Sequence, residues 1–313
     1  MWVDKKSSWI ETVVLGGFAL PHIWTRTLTA TGISVLVTIV YERVPQLHYS
    51  LTTAPFALIG FALGIFLGFR NNTAYDRFWE GRKLWGALVN TSRSLTRQVL
   101  TLIEPQEGAK QVPPEELRAF EVSMVHLAIA YVHALRHHLR DAPPFETLER
   151  ILTEDEVDRL RDEENVPVAI LQRLGEKIVQ ARRNKWIHPF HVNILEGSLT
   201  SLTDIQGGCE RIKATPIPYS YTVLMHRIVA VYCTLLPLGL MDSVGWATPA
   251  VVLFISYTFF GLDAVGDEVE QPFGLDTNDL PLKAISRNIE RNLRKRIDEE
   301  LPPPVQARKG VLT

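Results

Sequence analysis

Residues Thr53–Gly86 read TAPFALIGFALGIFLGFRNNTAYDRFWEGRKLWG, and the character of the chain turns on this stretch. No Asp, Glu, Lys or Arg lies between Arg43 and Arg70. At about 1.5 Å per helical residue, such a run crosses a hydrocarbon layer roughly 30 Å thick. From Arg70 the composition turns within one helical turn to Arg70, Asn71, Asn72, Asp76, Arg77, Glu80, Arg82 and Lys83. One continuous rod that leaves lipid and carries on into water is the expected structure. Inside the span, small residues at Ala57, Gly60, Ala62, Gly64 and Gly68 permit close helix approach. Phe61, Ile65 and Phe69 recur every four positions along one face. The residues leave two readings of that row open. It packs against lipid or core like most apolar stripes, or it lines an apolar constriction on a symmetry axis, which can gate conduction by dewetting.

The rest of the composition narrows the class. The chain has 313 residues, 46% hydrophobic and 22% charged, enough for one large or two moderate domains and too apolar in blocks for disorder. A net charge of -2 argues against nucleic acid as a partner, because phosphate affinity needs a basic surface. Cys209 and Cys233 have no metal-like spacing and read as small packing residues rather than a disulfide framework.

Three stretches carry a family resemblance. Phe56–Gly86 resembles the signature of the bacterial branch of the bestrophins. Gly207–Thr222, GGCERIKATPIPYSYT, is similar to that family's approach to its third membrane helix, and Glu268–Leu282, EVEQPFGLDTNDLPL, resembles its acidic segment after the last one. The order is the same as in the family. The resemblance implies an all-α membrane protein with four transmembrane helices per subunit and a helical cytoplasmic domain, assembled as a homopentamer around a central pore. It places Phe61, Ile65 and Phe69 on the pore neck, with Asn72, Thr73 and Asp76 continuing inward. It also implies a second constriction at the cytoplasmic exit, for which Phe190 or Ile194 is the candidate.

In chain order, residues 1–70 are expected to hold an interfacial N-terminal segment with Trp2, Trp9 and Trp24 at headgroup level, a first membrane helix over about Thr27–Val40, and the second within the opening stretch. Pro45 and Pro55 interrupt regular helix at the entry to that second span. Residues 71–218 read as cytoplasmic helices: Phe78–Ile103, Glu115–Arg140, a capped charged segment Thr153–Asn165, Val168–Asn184 and Val192–Ile212. No strand-period segment of any length appears. Residues 219–263 read as a membrane hairpin, Ile228–Met241 and Trp246–Leu262, whose turn lacks Lys and Arg. Residues 264–313 hold the acidic segment, a final helix Leu282–Leu301 and a disordered tail. The distribution of Lys and Arg puts both termini in the cytoplasm of a multi-pass protein of the inner (plasma) membrane.

No cofactor is expected. Calcium would fall to Asp276 and Asp279, but the acidic run after PFG is thin for six to eight oxygen ligands, and capping of the final helix is the simpler role. Zinc would fall to His133 and His137, which have chelating i, i+4 spacing but no HExxH frame. Passive conduction of small monovalent ions is the expected function, with no reaction catalysed. Its partners are other copies of itself, the lipid bilayer and the permeant ions. Cations are favoured if Asp76 faces the axis. A chloride channel of the same build is the alternative, and Arg70 or Arg77 on adjacent faces would favour it. From other classes, the rivals are a non-conducting scaffold and a metal-dependent membrane enzyme on the His126–His138 helix. A carrier is disfavoured by the lack of an inverted repeat between the two hydrophobic pairs and of an ionisable mid-membrane residue.

Overall fold

The computed structural model describes residues 20–44, 51–109, 112–307 and 311–312. Trp2, Trp9 and Pro45 fall outside them. Eight long helices make up most of the fold: α1 Leu20–Arg43, α2 Thr53–Leu102, α3 Pro114–Leu139, α4 Val166–Arg183, α5 Pro189–Ala214, α6 Tyr219–Val244, α7 Thr248–Glu270 and α8 Leu282–Arg294. There is no β-strand among the described residues, only an isolated bridge between Ile103 and Ile187.

α2 is the expected rod: 50 residues without a break, with Pro55 accommodated in its first turn. Its length at 1.5 Å per residue is about 75 Å, well over the thickness of a bilayer. Two hydrophobic clusters hang on it. The upper one joins Phe56, Leu63 and Leu67 of α2 to Ile23 and Ala30 of α1, Val229, Tyr232, Cys233 and Leu236 of α6, and Val252 and Phe260 of α7. The stretches Ile23–Arg43, Thr53–Leu102 and Tyr219–Glu270 are long and apolar enough to cross a membrane. The last is two helices, separated at Gly245, where a positive φ of 55° suits glycine and lets the chain reverse. The edge-on contact of Tyr232 with Phe259, centroids 5.3 Å apart, closes this hairpin. α6 runs on through Pro237, and Pro249 sits in the first turn of α7, where no amide hydrogen is missed.

The lower cluster packs Trp85, Leu88, Leu95 and Val99 of α2 against α3, α4, α5 and α8. α3 is its axis. From Met124 to Leu135 every apolar side chain is buried, the pattern of a helix enclosed on all sides rather than half exposed. The Tyr131 hydroxyl, sealed inside, donates to the Leu202 carbonyl of α5 at 2.7 Å. The two cysteines take up the packing role read from the sequence, Cys209 in the lower cluster and Cys233 in the upper.

Several boundaries move. The charged segment after Thr153 is helical only over Glu154–Asp158, where Glu156 accepts from the Thr153 amide at 3.4 Å; beyond it Arg161 ties Asp158 and Glu149 at the surface. The last helix ends early, because Asp298 adopts a left-handed φ of 58°. The described part of the tail lies against α8, and Arg291 donates to the Pro302 carbonyl.

Candidate functional site

The buried face of α2 in the upper bundle is Phe56, Leu63, Leu67, Arg70 and Ala74. At 100° per residue these fall within one sector, and Phe61, Ile65, Phe69, Asn72 and Asp76 fall opposite it. The row read from the sequence therefore points away from every helix of its own chain. Phe61 is 72% exposed, Ile65 43% and Phe69 62%, and Asn72, Thr73 and Asp76 are exposed below them. Thr73, about 80° around the helix from Ile65, lies beside the row rather than on its crest, and its hydroxyl donates to the Phe69 carbonyl at 3.0 Å. Further down, on α5, Phe190 and Ile194 are likewise exposed on one face.

Only part of the small-residue set acts within the chain. A side chain on Gly60 would strike the Tyr232 hydroxyl at 2.5 Å, so this glycine allows α2 and α6 to touch. Gly64 and Gly68 meet nothing within 4 Å and leave a smooth, open strip beside the phenylalanine row.

Behind the row, sequence reasoning missed a charge cluster. Arg70 is 1% exposed, and its Nη1 donates to Asp263 Oδ1 at 2.8 Å while Nη2 pairs with Asp267. The other Asp263 oxygen bonds His226 Nδ1 at 2.6 Å, with Arg26 at 3.7 Å. The charges that bound the apolar spans in the sequence, Arg26, Arg70 and Asp263, thus meet one another at one end of the bundle. The signal was available: Arg70 shares the face of Leu63 and Leu67, and Asp263 and Asp267 are one turn apart on α7. His226, Asp263 and Asp267 are the one group of three metal-type ligands gathered among the described residues. Both carboxylates already hold the Arg70 guanidinium, and Asp263 is shared with Arg26 and His226. Arg77 is also committed, donating to carbonyls of Glu270 at 3.1 Å, Ile212 at 2.6 Å and Thr215. Neither arginine lies on the exposed row, so neither sets its charge.

The remaining candidates resolve into bracing. Asp279 is buried, and its Oδ2 accepts from the Asp276 amide at 2.7 Å, while Asp276 is exposed. Its carboxylate closes its own loop rather than capping α8, whose N-cap is Pro281. Burial pushes the Asp279 carboxyl up to about 6. On α3 each histidine reaches a different partner: His126 to Glu299 at 2.7 Å, His133 to Glu290 at 3.0 Å, His137 to Thr147 at 3.2 Å and His138 to Glu210 at 3.0 Å. The helix uses them as cross-ties, and His133 and His137 share no ligand.

A helical bundle with a long shared rod and an apolar face left uncovered defines a membrane protein built to meet something beyond its own chain. The model of the bacterial/fungal bestrophin proteins matches residues 1–295, and the chain belongs to that family. A voltage-dependent anion channel-forming protein of Ralstonia nicotianae is 40% identical over 284 residues, covering 90% of each chain. One of the same description from Escherichia coli K12 is 36% identical over 307 residues, covering 97% of each. Among solved structures, the bacterial bestrophin homologue of Klebsiella pneumoniae superposes with a TM-score of 0.82 at 36% identity, covering 89% of this chain and 99% of that one. The chain is a membrane protein of a channel family and not an enzyme, which removes the histidine-helix catalyst as a rival.

Proposed function

We propose that the chain forms a homopentameric channel for small monovalent ions, each subunit contributing α1, the upper half of α2, α6 and α7 as four spanning helices. The observation that carries the reading is the row Phe61, Ile65 and Phe69, exposed on the one α2 face that no helix of its own chain covers. Five copies of that face turned to a common axis make three stacked apolar rings, followed inward by Asn72 and Asp76 with Thr73 alongside. Gly64 and Gly68 supply the flat strip on which a neighbouring α2 approaches. Residues 71–218 and 264–313 lie in the cytoplasm with both termini, under the inner membrane, and Phe190 or Ile194 narrows the exit. The reading needs no resident cofactor.

Apolar rings carry no charge preference of their own, so selectivity falls to their width and to the polar groups on either side. The names of the relatives favour anions, and we take anion conduction in place of the cation preference expected from the sequence. One observation keeps cations as the second reading: Asp76 is exposed in line with Ile65 and Asn72, and a ring of carboxylates attracts cations. Reversal potentials in planar bilayers under asymmetric potassium chloride decide between them. A potential near the chloride equilibrium value supports the first reading, and one near the potassium value the second. No current at all sinks the channel.

A further inference from the structure

The lower domain holds a cavity of about 1010 Å³ between the last turns of α3, the short helix Phe145–Leu148, α8 and the segment Glu300–Pro303. It lies away from the exposed α2 face and has no part in the conduction just described. Its walls are basic: Arg136, Arg140, Arg150, Lys283, Arg287 and Arg294 against Glu146, Glu290 and Glu300.

Two of the three carboxylates are already engaged. Glu290 bonds His133 at 3.0 Å and Arg294 at 3.1 Å, with Arg287 at 3.5 Å, and Glu146 pairs with Arg150 at 2.5 Å. Arg136, Arg140 and Lys283 have no ion pair among the described residues. Arg136, only 8% exposed, donates to the Ser286 hydroxyl at 3.2 Å and contacts His137 Nε2, both neutral acceptors. Arg140 donates to the Phe273 carbonyl at 3.1 Å and the Leu280 carbonyl at 3.5 Å. His133 also lines the cavity, is buried, and has an Nδ1 without a hydrogen-bond partner.

Uncompensated buried charge is costly, and the cluster shows the cost. Burial, with Arg140 and Arg287 nearby, pushes Arg136 down to about 10, and burial with Arg136 pushes His137 down to about 4. The C-terminal dipole of α3 offers roughly half a negative charge, too little for buried Arg136 together with Arg140, which burial holds below the usual guanidinium range although Asp279 raises it.

We propose that this cavity binds a small soluble anion bearing phosphate groups. Guanidinium forks match phosphate oxygens with paired hydrogen bonds, and the excess of three positive charges suits a polyanion better than a halide. The volume is at the upper end for small-ligand pockets and admits a phosphorylated organic molecule. Bound there, the anion joins Arg136 of α3 and Arg140 at its C-cap to Lys283 and Arg287 of α8.

Pyrophosphate and ATP, titrated by calorimetry into the purified oligomer at fixed ionic strength, test this directly. Saturable binding is expected, weakened about tenfold or more by Arg140→Gln or by Lys283→Gln. Lys283 is exposed, so its variant keeps the fold, which thermal melting verifies. Arg150→Gln, whose cation is already neutralised by Glu146, serves as the control and changes affinity little. Absence of saturable heat up to about 1 mM overturns the proposal. Equal heat from sulfate, or affinity unmoved in both the Arg140 and Lys283 variants, does the same. Nanodiscs containing phosphatidic acid that bind through these residues while free pyrophosphate does not would assign the site to lipid and overturn the soluble ligand. The readout is binding, so it stands or falls independently of conduction.

Discussion

The two halves of α2 meet opposite circumstances along one unbroken helix. Below Arg77, its apolar side chains Trp85, Leu88, Leu95 and Val99 enter a core that surrounds α3 completely. Above Arg70, one face packs on α1, α6 and α7, and the opposite face presents Leu58, Phe61, Ile65 and Phe69 to its surroundings. The lower domain is complete within one chain. The upper bundle leaves an apolar face uncovered by its own chain, a face that lipid or another copy must cover. The charges follow the same division. In the lower domain, histidines and carboxylates tie α3 to its neighbours, from the buried His133–Glu290 pair to the partly exposed His138–Glu210; in the upper bundle, a single arginine is buried with Asp263 while its other partner, Asp267, is exposed.

That contrast can be broken first at Arg70. Arg70→Ala takes from Asp263, itself 1% exposed, its closest guanidinium and leaves it His226 and the more distant Arg26, and is expected to cost about 3 kcal/mol, the low end for breaking a buried pair, read as loss of oligomer on size exclusion in mild detergent. Arg70→Met with Asp263→Leu recovers part of the loss, because that buried pair is then removed together. Full oligomer yield from the single variant would mean that the cluster does not hold the bundle.

In the lower core, Leu127→Ala removes a side chain sealed inside α3 and should cost about 2–5 kcal/mol in thermal or chemical unfolding, with the reversal potential unchanged. A shifted reversal potential would show that the two halves are not separable.

Glu290→Gln tests the bracing around that core. Burial raises the Glu290 carboxyl, but the His133 hydrogen bond and charge, together with Arg287 and Arg294, bring it down to about 2 from 4.5. A carboxylate depressed in the fold stabilises it above its unfolded pKa and loses that contribution as pH falls. The variant is expected to melt lower at pH 7, by up to roughly 3 kcal/mol of stability, and the gap should narrow as pH falls from 4.5 toward 2. A gap independent of pH refutes the assignment.

The smallest change in stability belongs to the row itself. Phe61, Ile65 and Phe69 changed together to Ala should leave melting within about 0.5 kcal/mol per site, while ion flux into liposomes rises. A large drop in melting with unchanged flux would show that the row packs rather than lines a passage.

Much of this was legible because hydrophobic periodicity is local. The charge-free run before Arg70 and the polar composition after it announced a single rod, and the long cytoplasmic helices fell within a few residues of their expected bounds, whereas the membrane helices run beyond theirs, to Leu20, Tyr219 and Glu270, because helix continues past the point where charge begins. The final helix stops short of its expected end for a local reason, since left-handed Asp298 closes it although the apolar pattern continues to Leu301. The fate of charged residues was not legible. Arg70 and Arg77 read as exit or axial groups, yet each finds its partners on segments distant in sequence, Asp263 for one and the Glu270, Ile212 and Thr215 carbonyls for the other, and spacing cannot reveal a partner that folding supplies.

The sequence by itself determined where the chain is apolar, where it is helical and which side chains share the exposed face of α2, because each of these follows from the period of a helix and the composition of a segment. Tertiary structure alone decided that α3 is wholly enclosed, that Arg70 answers Asp263 across the bundle and that six cations converge on one cavity. Those outcomes depend on helices far apart in the chain meeting at particular angles, and on the cost of burying a charge without a counterpart, which selects one mutual arrangement among many that the same local patterns allow.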